Sequence, residues 1–419
     1  MRIKVIVRNV VMGAQLAVLL GSESVSAMEC AGPNRTSALT TFSASNGACI
    51  GTAGPPASAA TETCSGSVAT RSRRDLAGFG IQYWGEDYTA EALAAAPHHA
   101  LIIEASVHGA DVGLDFREGL FSAEEVSAIR HGGERAVFAY LNVGELAPYR
   151  SYWVHAFGAT GPSAEDLTLA ERELPAWYGG VSEEGEHLAA FWTPEWLEVL
   201  RHQIDAFLER GYDGVFLDDV LHYYTWGNQV RLRFLKGGDR TKIPRSMSEF
   251  ARDMMALVLQ VGTYARRDAP SARPDFALIV NGGAYIGWDA ASQTATPEGR
   301  APLFDDYVDA LDAIAMESTL GPSPDWATVK ALQQNYAAMG VPVLSIDFHS
   351  RHPLVPIDEF RARIARLAST LGFMPYAAAD ELFNRLDPPI LPKAGSAATA
   401  QETCDRAGSA RGGSVPRSD

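Results

Sequence analysis

The segment GYDGVFLDDVLHYYTW, Gly211 to Trp226, leads Val215, Phe216 and Leu217 straight into Asp218 and Asp219, and then into a cluster of aromatics. Burying an unpaired carboxylate is costly, so acids at the end of an apolar run need a partner, a cap or a chemical task. Other apolar runs close in the same manner, on Gln82 and Trp84, Glu104, Tyr140 with Asn142 and Glu145, Asn281, Glu317, Asp347 with His349, and Tyr376. Core packing alone does not select an acid, an amide or an aromatic at nearly every run end. Glycoside hydrolysis needs such a set. One carboxyl protonates the leaving oxygen of the glycosidic bond and another attacks or directs water, while aromatic faces stack on sugars and amides bind hydroxyls. Asp218 and Glu317 are the candidate pair. Crowded carboxylates raise each other's pKa, and Glu317 follows the apolar run Ala-Ile-Ala-Met, so it reads as the less solvated general acid. Asp218 then reads as the ionised nucleophile or base.

Simpler roles compete for the same residues. Asp218 suits a buried strut paired with an arginine, and Asp219 a helix N-cap. Glu317 suits a cap for the loop STLGPSP, and Glu145 a brace for the region of Arg150. Substrate contacts are expected from Trp84, Glu104, Tyr140, Asp219, Tyr223, Asn281 and Asp347. Trp84 and Tyr140 are the preferred stacking platforms because they end runs; Tyr149, Trp153, Trp192, Tyr224 and Trp226 also lie at or just past run ends. His222 and His349 with Asp218, Asp219 and Asp347 offer donors for a divalent ion. Their spacing fits no established motif, so no metal and no other cofactor is expected.

The runs that must position these groups span 78–84, 100–106, 136–143, 214–219, 276–282, 313–318, 341–348 and 373–378. Each is short, continuous and rich in Val, Ile, Leu and aromatics, as a strand buried on both faces requires. Helical patterns separate them. Thr193 caps a helix with Pro194 at its first position and Gly211 past its end. Ser122 with Glu125 spells a capping box ahead of Val126 and Ile129. Further helical stretches run over 248–267, 325–340 and 358–372. Eightfold strand–helix alternation predicts an α/β fold, a (β/α)8 TIM barrel, whose active site lies at the C-terminal ends of the strands. An open doubly wound sheet is the second choice, but no GxGxxG or P-loop follows the first run.

GYDGVFLDDVLHYY resembles the strand-four signature of the endo-α-1,4-polygalactosaminidase family, glycoside hydrolase family 114. GFGIQYWG, AYLNVGELAPYRSYW, AFWTPEW, LIVNGG, AMESTL and VLSIDF match in the family's order across residues 78–378. The resemblance implies a barrel whose catalytic carboxylates are Asp218 and Glu317, acting on partly deacetylated galactosamine polymers. Leu221 and Glu104 each stand where family members usually carry Asp. These departures leave open a relative that hydrolyses another polymer, or one that binds polysaccharide without cleaving it. A metal-dependent hydrolase is the third possibility.

The rest of the chain sets the context. Its 419 residues are 47% hydrophobic, with a formal net charge of −16. So acidic a surface argues against nucleic acid and suits a neutral or cationic ligand. Arg2, Lys4 and Arg8, the apolar VVMGAQLAVLL and the site Val25-Ser26-Ala27 read as a signal peptide over 1–27. The expected organisation is then a leader over 28–75, the barrel over 76–390 and a tail over 391–419. The expected product is a secreted or periplasmic monomer that does not remain inserted in a membrane. Cys30, Cys49, Cys64 and Cys404 favour disulfides in an exported chain, with three pairings open.

Overall fold

The computed structural model describes residues 76–107, 119–148, 150–157, 174–182, 185–228, 232–233, 246–291 and 299–391. The expected signal peptide, the leader, the four cysteines, nearly all of the tail and Tyr149 lie outside them. No helix among the described residues is long and apolar enough to cross a membrane.

All eight apolar runs are strands of one parallel sheet. Its members are β1 (Phe79–Gln82), β2 (Ala100–Ile103), β3 (Ala136–Asn142), β7 (Gly214–Asp218), β9 (Ala277–Asn281), β10 (Ala313–Glu317), β11 (Val343–Phe348) and β12 (Met374–Ala378), paired in that order. With helices between the strands this is a nearly closed (β/α)8 barrel. The side-chain period of two sorts each strand into an inner and an outer face. Phe79, Ile81, Ile102, Phe138, Phe216, Ile279, Ala315, Leu344, Ile346 and Tyr376 fill the barrel interior. Val137, Val215, Leu217, Leu278, Val280 and Val343 face the helices. Both faces are covered, so the runs read as continuous rather than alternating. No backbone ladder joins β12 to β1; the Tyr376 hydroxyl donates across that seam to the Ile81 carbonyl at 3.3 Å.

The helix signals hold in detail. The helix Pro194–Arg210 is capped by the Thr193 side chain and ends at Gly211 in a left-handed conformation, φ 84°. Ser122 and Glu125 form the reciprocal capping box. At the foot of the barrel two aspartates tie neighbouring strands together. Asp213 accepts from the Val137 amide at 2.9 Å and Asp312 from the Leu278 amide at 2.8 Å. Arg130 and Arg266 neutralise them.

One element has no counterpart in the sequence reading. A four-stranded antiparallel sheet pairs β4 (Glu145–Leu146), β6 (His187–Ala189), β5 (Tyr178–Ser182) and β8 (Leu232–Arg233) in that order. Three of its strands are inserted between β3 and β7. It carries Glu145 to the barrel mouth.

Candidate active site

Parity along the strands decides which side chains reach the mouth. On β7 Phe216 points inward, and so therefore does Asp218. On β10 the inward series Ala313, Ala315 continues to Glu317. On β9 Ile279 leads to Asn281, and on β3 Phe138 leads to Tyr140 and Asn142. The register places Asn142 beside Asp218 and Asn281 beside Ala315.

The two acids meet around one nitrogen. Asn281 Nδ2 donates to Asp218 Oδ1 at 2.8 Å and to Glu317 Oε1 at 3.1 Å. The Tyr140 hydroxyl donates to Asp218 Oδ2 at 2.8 Å, and the Asp219 amide donates to Asp218 Oδ1 at 2.9 Å. Asp218 thus accepts three hydrogen bonds. Both carboxyls are half-buried and crowded, but unequally. Desolvation, then repulsion from Asp219, pushes Asp218 up to about 6, against the pull of Asn281 and Tyr140. Desolvation followed by the charge of Asp218 pushes Glu317 up to about 8; Asn281 and, more weakly, Arg351 oppose it. Between those values Asp218 is ionised and Glu317 protonated, the division of labour a two-carboxylate mechanism needs.

A second acidic group adjoins Asp218. Burial lifts Asp219 to about 6, with the charge of Glu186 adding to it, while the Asn142 amide opposes. Desolvation, then the charge of Asp219, pushes Glu145 well above the usual carboxylate range. Close approach of the chain makes this crowding possible: a Cβ on Gly144 would meet the Asp219 carbonyl oxygen at 2.4 Å. Glu145, Asp219 and His222 hold their ligand atoms within 4.8 Å of one another and are the described residues most able to take a cation. They differ from the donors weighed in the sequence, because Asp347 faces away from the mouth and His349 Nε2 is engaged with the Val355 carbonyl at 2.6 Å.

Of the expected substrate contacts, Tyr140, Asn281 and Asp219 gather at the acid pair. Trp84 lies on the rim, 36% exposed, with its indole N–H on the Leu382 carbonyl at 2.8 Å. Its parity is outward. Tyr83 takes the inward place, its ring 4.5 Å from that of Tyr140, and its hydroxyl is pushed far up by burial and the charges of Asp218 and Glu317. Three expectations need correction. Glu104 is buried against Arg150, which donates to both its oxygens, so its carboxylate braces the end of β2 rather than meeting substrate. Tyr223 is 1% exposed and spends its hydroxyl on Asp289 at 2.7 Å. Asp347, opposite in parity to the inward Ile346 and Phe348, accepts from the Leu320 amide at 2.7 Å and so fixes the loop that follows Glu317. Leu221 packs against Gly282, where an added Cβ would lie 3.2 Å from its own. Sequence reasoning passed over Tyr83 and Arg351; parity counted from Ile81 would have found the first.

Residues 101–282 match the family model described as glycoside-hydrolase family GH114. The matched stretch contains Tyr140, Asn142, Asp218, Asp219 and Asn281 and stops short of Glu317. An uncharacterized protein of Thermotoga maritima is 26% identical over 184 residues, 44% of this chain and 48% of that protein. The chain therefore spans about half the length of that relative. Among solved structures, the glycoside hydrolase domain of PelA from Pseudomonas aeruginosa is 18% identical with a TM-score of 0.43, over 73% of this chain and 96% of that one. Ega3 of Aspergillus fumigatus, in complex with galactosamine, is 12% identical with a TM-score of 0.45, over 75% of this chain and 96% of that one.

Proposed function

We propose that this barrel belongs to an exported GH114 glycosidase that cleaves an α-1,4-linked, partly deacetylated galactosamine polysaccharide, with Glu317 as general acid and Asp218 as nucleophile. The observation that carries the reading is the shared amide of Asn281, 2.8 Å from Asp218 and 3.1 Å from Glu317. It keeps the near oxygens no more than two hydrogen-bond lengths apart. That spacing supports retention, for which about 5–5.5 Å is usual, over inversion at roughly 6.5–9.5 Å. Glu317 gives its proton to the leaving oxygen as Asp218 attacks the anomeric carbon and the glycosidic C–O bond breaks. Water then hydrolyses the glycosyl ester, losing its proton to Glu317, and Asp218 leaves as carboxylate. Tyr140 and the Asp219 amide hold Asp218 in line. Asp219 and Glu186 beside it favour a substrate that carries ammonium groups.

Reducing ends released from a partly deacetylated α-1,4-galactosamine polymer test the reading. Asp218→Asn and Glu317→Gln are each expected to lower turnover about a hundredfold or more, the scale of a lost general acid or base, while the protein stays folded. A wild-type protein that binds the polymer and releases nothing is a binding barrel. Activity that disappears with a chelator and returns with a divalent ion would move the chemistry to Glu145, Asp219 and His222.

A further inference from the structure

Among the described residues most aromatic rings are buried or half-buried, yet two tryptophans stand exposed beyond the strand ends of the barrel mouth. Among the described residues the exposed large hydrophobic side chains are Trp84 at 36%, Tyr224 at 42%, Trp326 at 57%, Leu354 at 97% and Leu391 at 49%. The first four lie on connections that leave the C-terminal ends of β1, β7, β10 and β11, around the mouth. Leu391 sits at the opposite end, near Gly78. Aromatic exposure is therefore confined to the face that holds the acid pair, and Trp326 is its most exposed member.

The backbone beneath that indole is fixed from several sides. The Asp325 amide donates to the Thr319 carbonyl at 3.1 Å, closing the loop that begins after Glu317. The Asp325 carboxylate caps the helix Trp326–Asn335, accepting from the Ala327 and Thr328 amides at 3.1 Å and from the Thr328 hydroxyl at 2.7 Å. Tyr285, on the connection after β9, reaches Thr328 at 3.2 Å. His352 closes against Gly321 from the β11 side, where a Cβ would meet its Nε2 at 2.6 Å. The hydrogen bond to Thr319 puts Trp326 three Cα steps and one bridge from Glu317, at most about 18 Å along that path. That is the reach of a few sugar units.

We propose that Trp326 is a sugar-stacking platform at a distal subsite, on the leaving-group side of the cleft. The inference rests on the glycosidase reading and extends it: the general acid protonates the leaving oxygen, so the departing part of the polymer lies toward Glu317, whose own loop carries Trp326. The apolar face of a pyranose covers the indole there. Trp326 carries no run-end signal, because it begins a helix instead of ending a strand.

The test is a binding measurement in the Glu317→Gln background, by calorimetry, with two probes: a partly deacetylated α-1,4-galactosamine polymer and the trisaccharide of the same sugar. Adding Trp326→Ala should raise the polymer Kd about fivefold to tenfold, a typical worth for one aromatic contact. It should leave the trisaccharide Kd and the melting temperature unchanged, and Trp326→Tyr should restore most of the loss. Equal weakening of both probes, or no change in polymer binding, overturns the platform. So does failure of the Glu317→Gln protein to bind either probe. Trp326-dependent polymer binding by a protein that never releases reducing ends would instead overturn the glycosidase reading and leave the platform standing.

Discussion

Glu317 is held protonated to about 8 and Asp218 to about 6, so the productive ionisation state exists between them. kcat/KM for the polymer is expected to rise as pH passes about 6 and to fall as it passes about 8, with the acid limb belonging to Asp218. The same displacement has a sign for stability. In the unfolded chain Glu317 titrates near its ordinary 4.5, well below its folded value of about 8. The folded state then binds the extra proton between those values, and stability falls as pH rises through that window. Glu317→Gln removes this loss. It should melt higher than the wild type at pH 8, with the gap closing toward pH 4 in thermal scans; an unchanged gap would show that the carboxyl is not displaced. Asp218, Glu317, Asn281 and Tyr140 were legible because each closes an apolar strand. Tyr83 was passed over and Asp347 misjudged because run ends were read without counting which face each residue takes.

At the scale of elements, the pair Glu104–Arg150 ties the end of β2 to the segment between β4 and β5 of the inserted sheet. Both side chains are buried, 5% and 7% exposed. Arg150→Ala would strand a carboxylate and is expected to cost about 3–5 kcal/mol in denaturant unfolding. Replacing both partners with leucine should recover most of it, and a double variant no more stable than the single would deny the pair this role. The eight barrel strands and the capped helices were readable from continuous apolar runs, Thr193, Pro194, Gly211, Ser122 and Glu125. The inserted sheet was not. β4 and β8 have two residues each and β6 three, too few for any period to show. Loops past the acids carry strain that sequence does not announce. Asp219 at φ 59° and Ser318 at φ 55°, each directly after a catalytic candidate, hold left-handed backbone that costs a non-glycine residue about 1 kcal/mol or more.

The whole molecule carries a net charge of −16, and its mouth gathers Asp218 and Asp219, both ionised above about 6. A cationic polymer is drawn to such a cleft, and salt shortens the reach of the field. Polymer Kd should therefore rise steadily as ionic strength increases from low to physiological, while a fully acetylated polymer shows little change. A reversed order would sink the charge argument without touching the acid pair. The seam between β12 and β1, bridged by a tyrosine hydroxyl instead of a backbone ladder, bears on how the protein breathes. The acids sit on β7 and β10, away from that gap, so parting there reaches them only through Tyr83, which follows β1 and packs on Tyr140. Amide hydrogen exchange should run fastest in β1 and β12 and slowest in β7 and β9, and Tyr376→Phe should speed exchange at the seam alone, giving a hinge-like opening on the side opposite the chemistry.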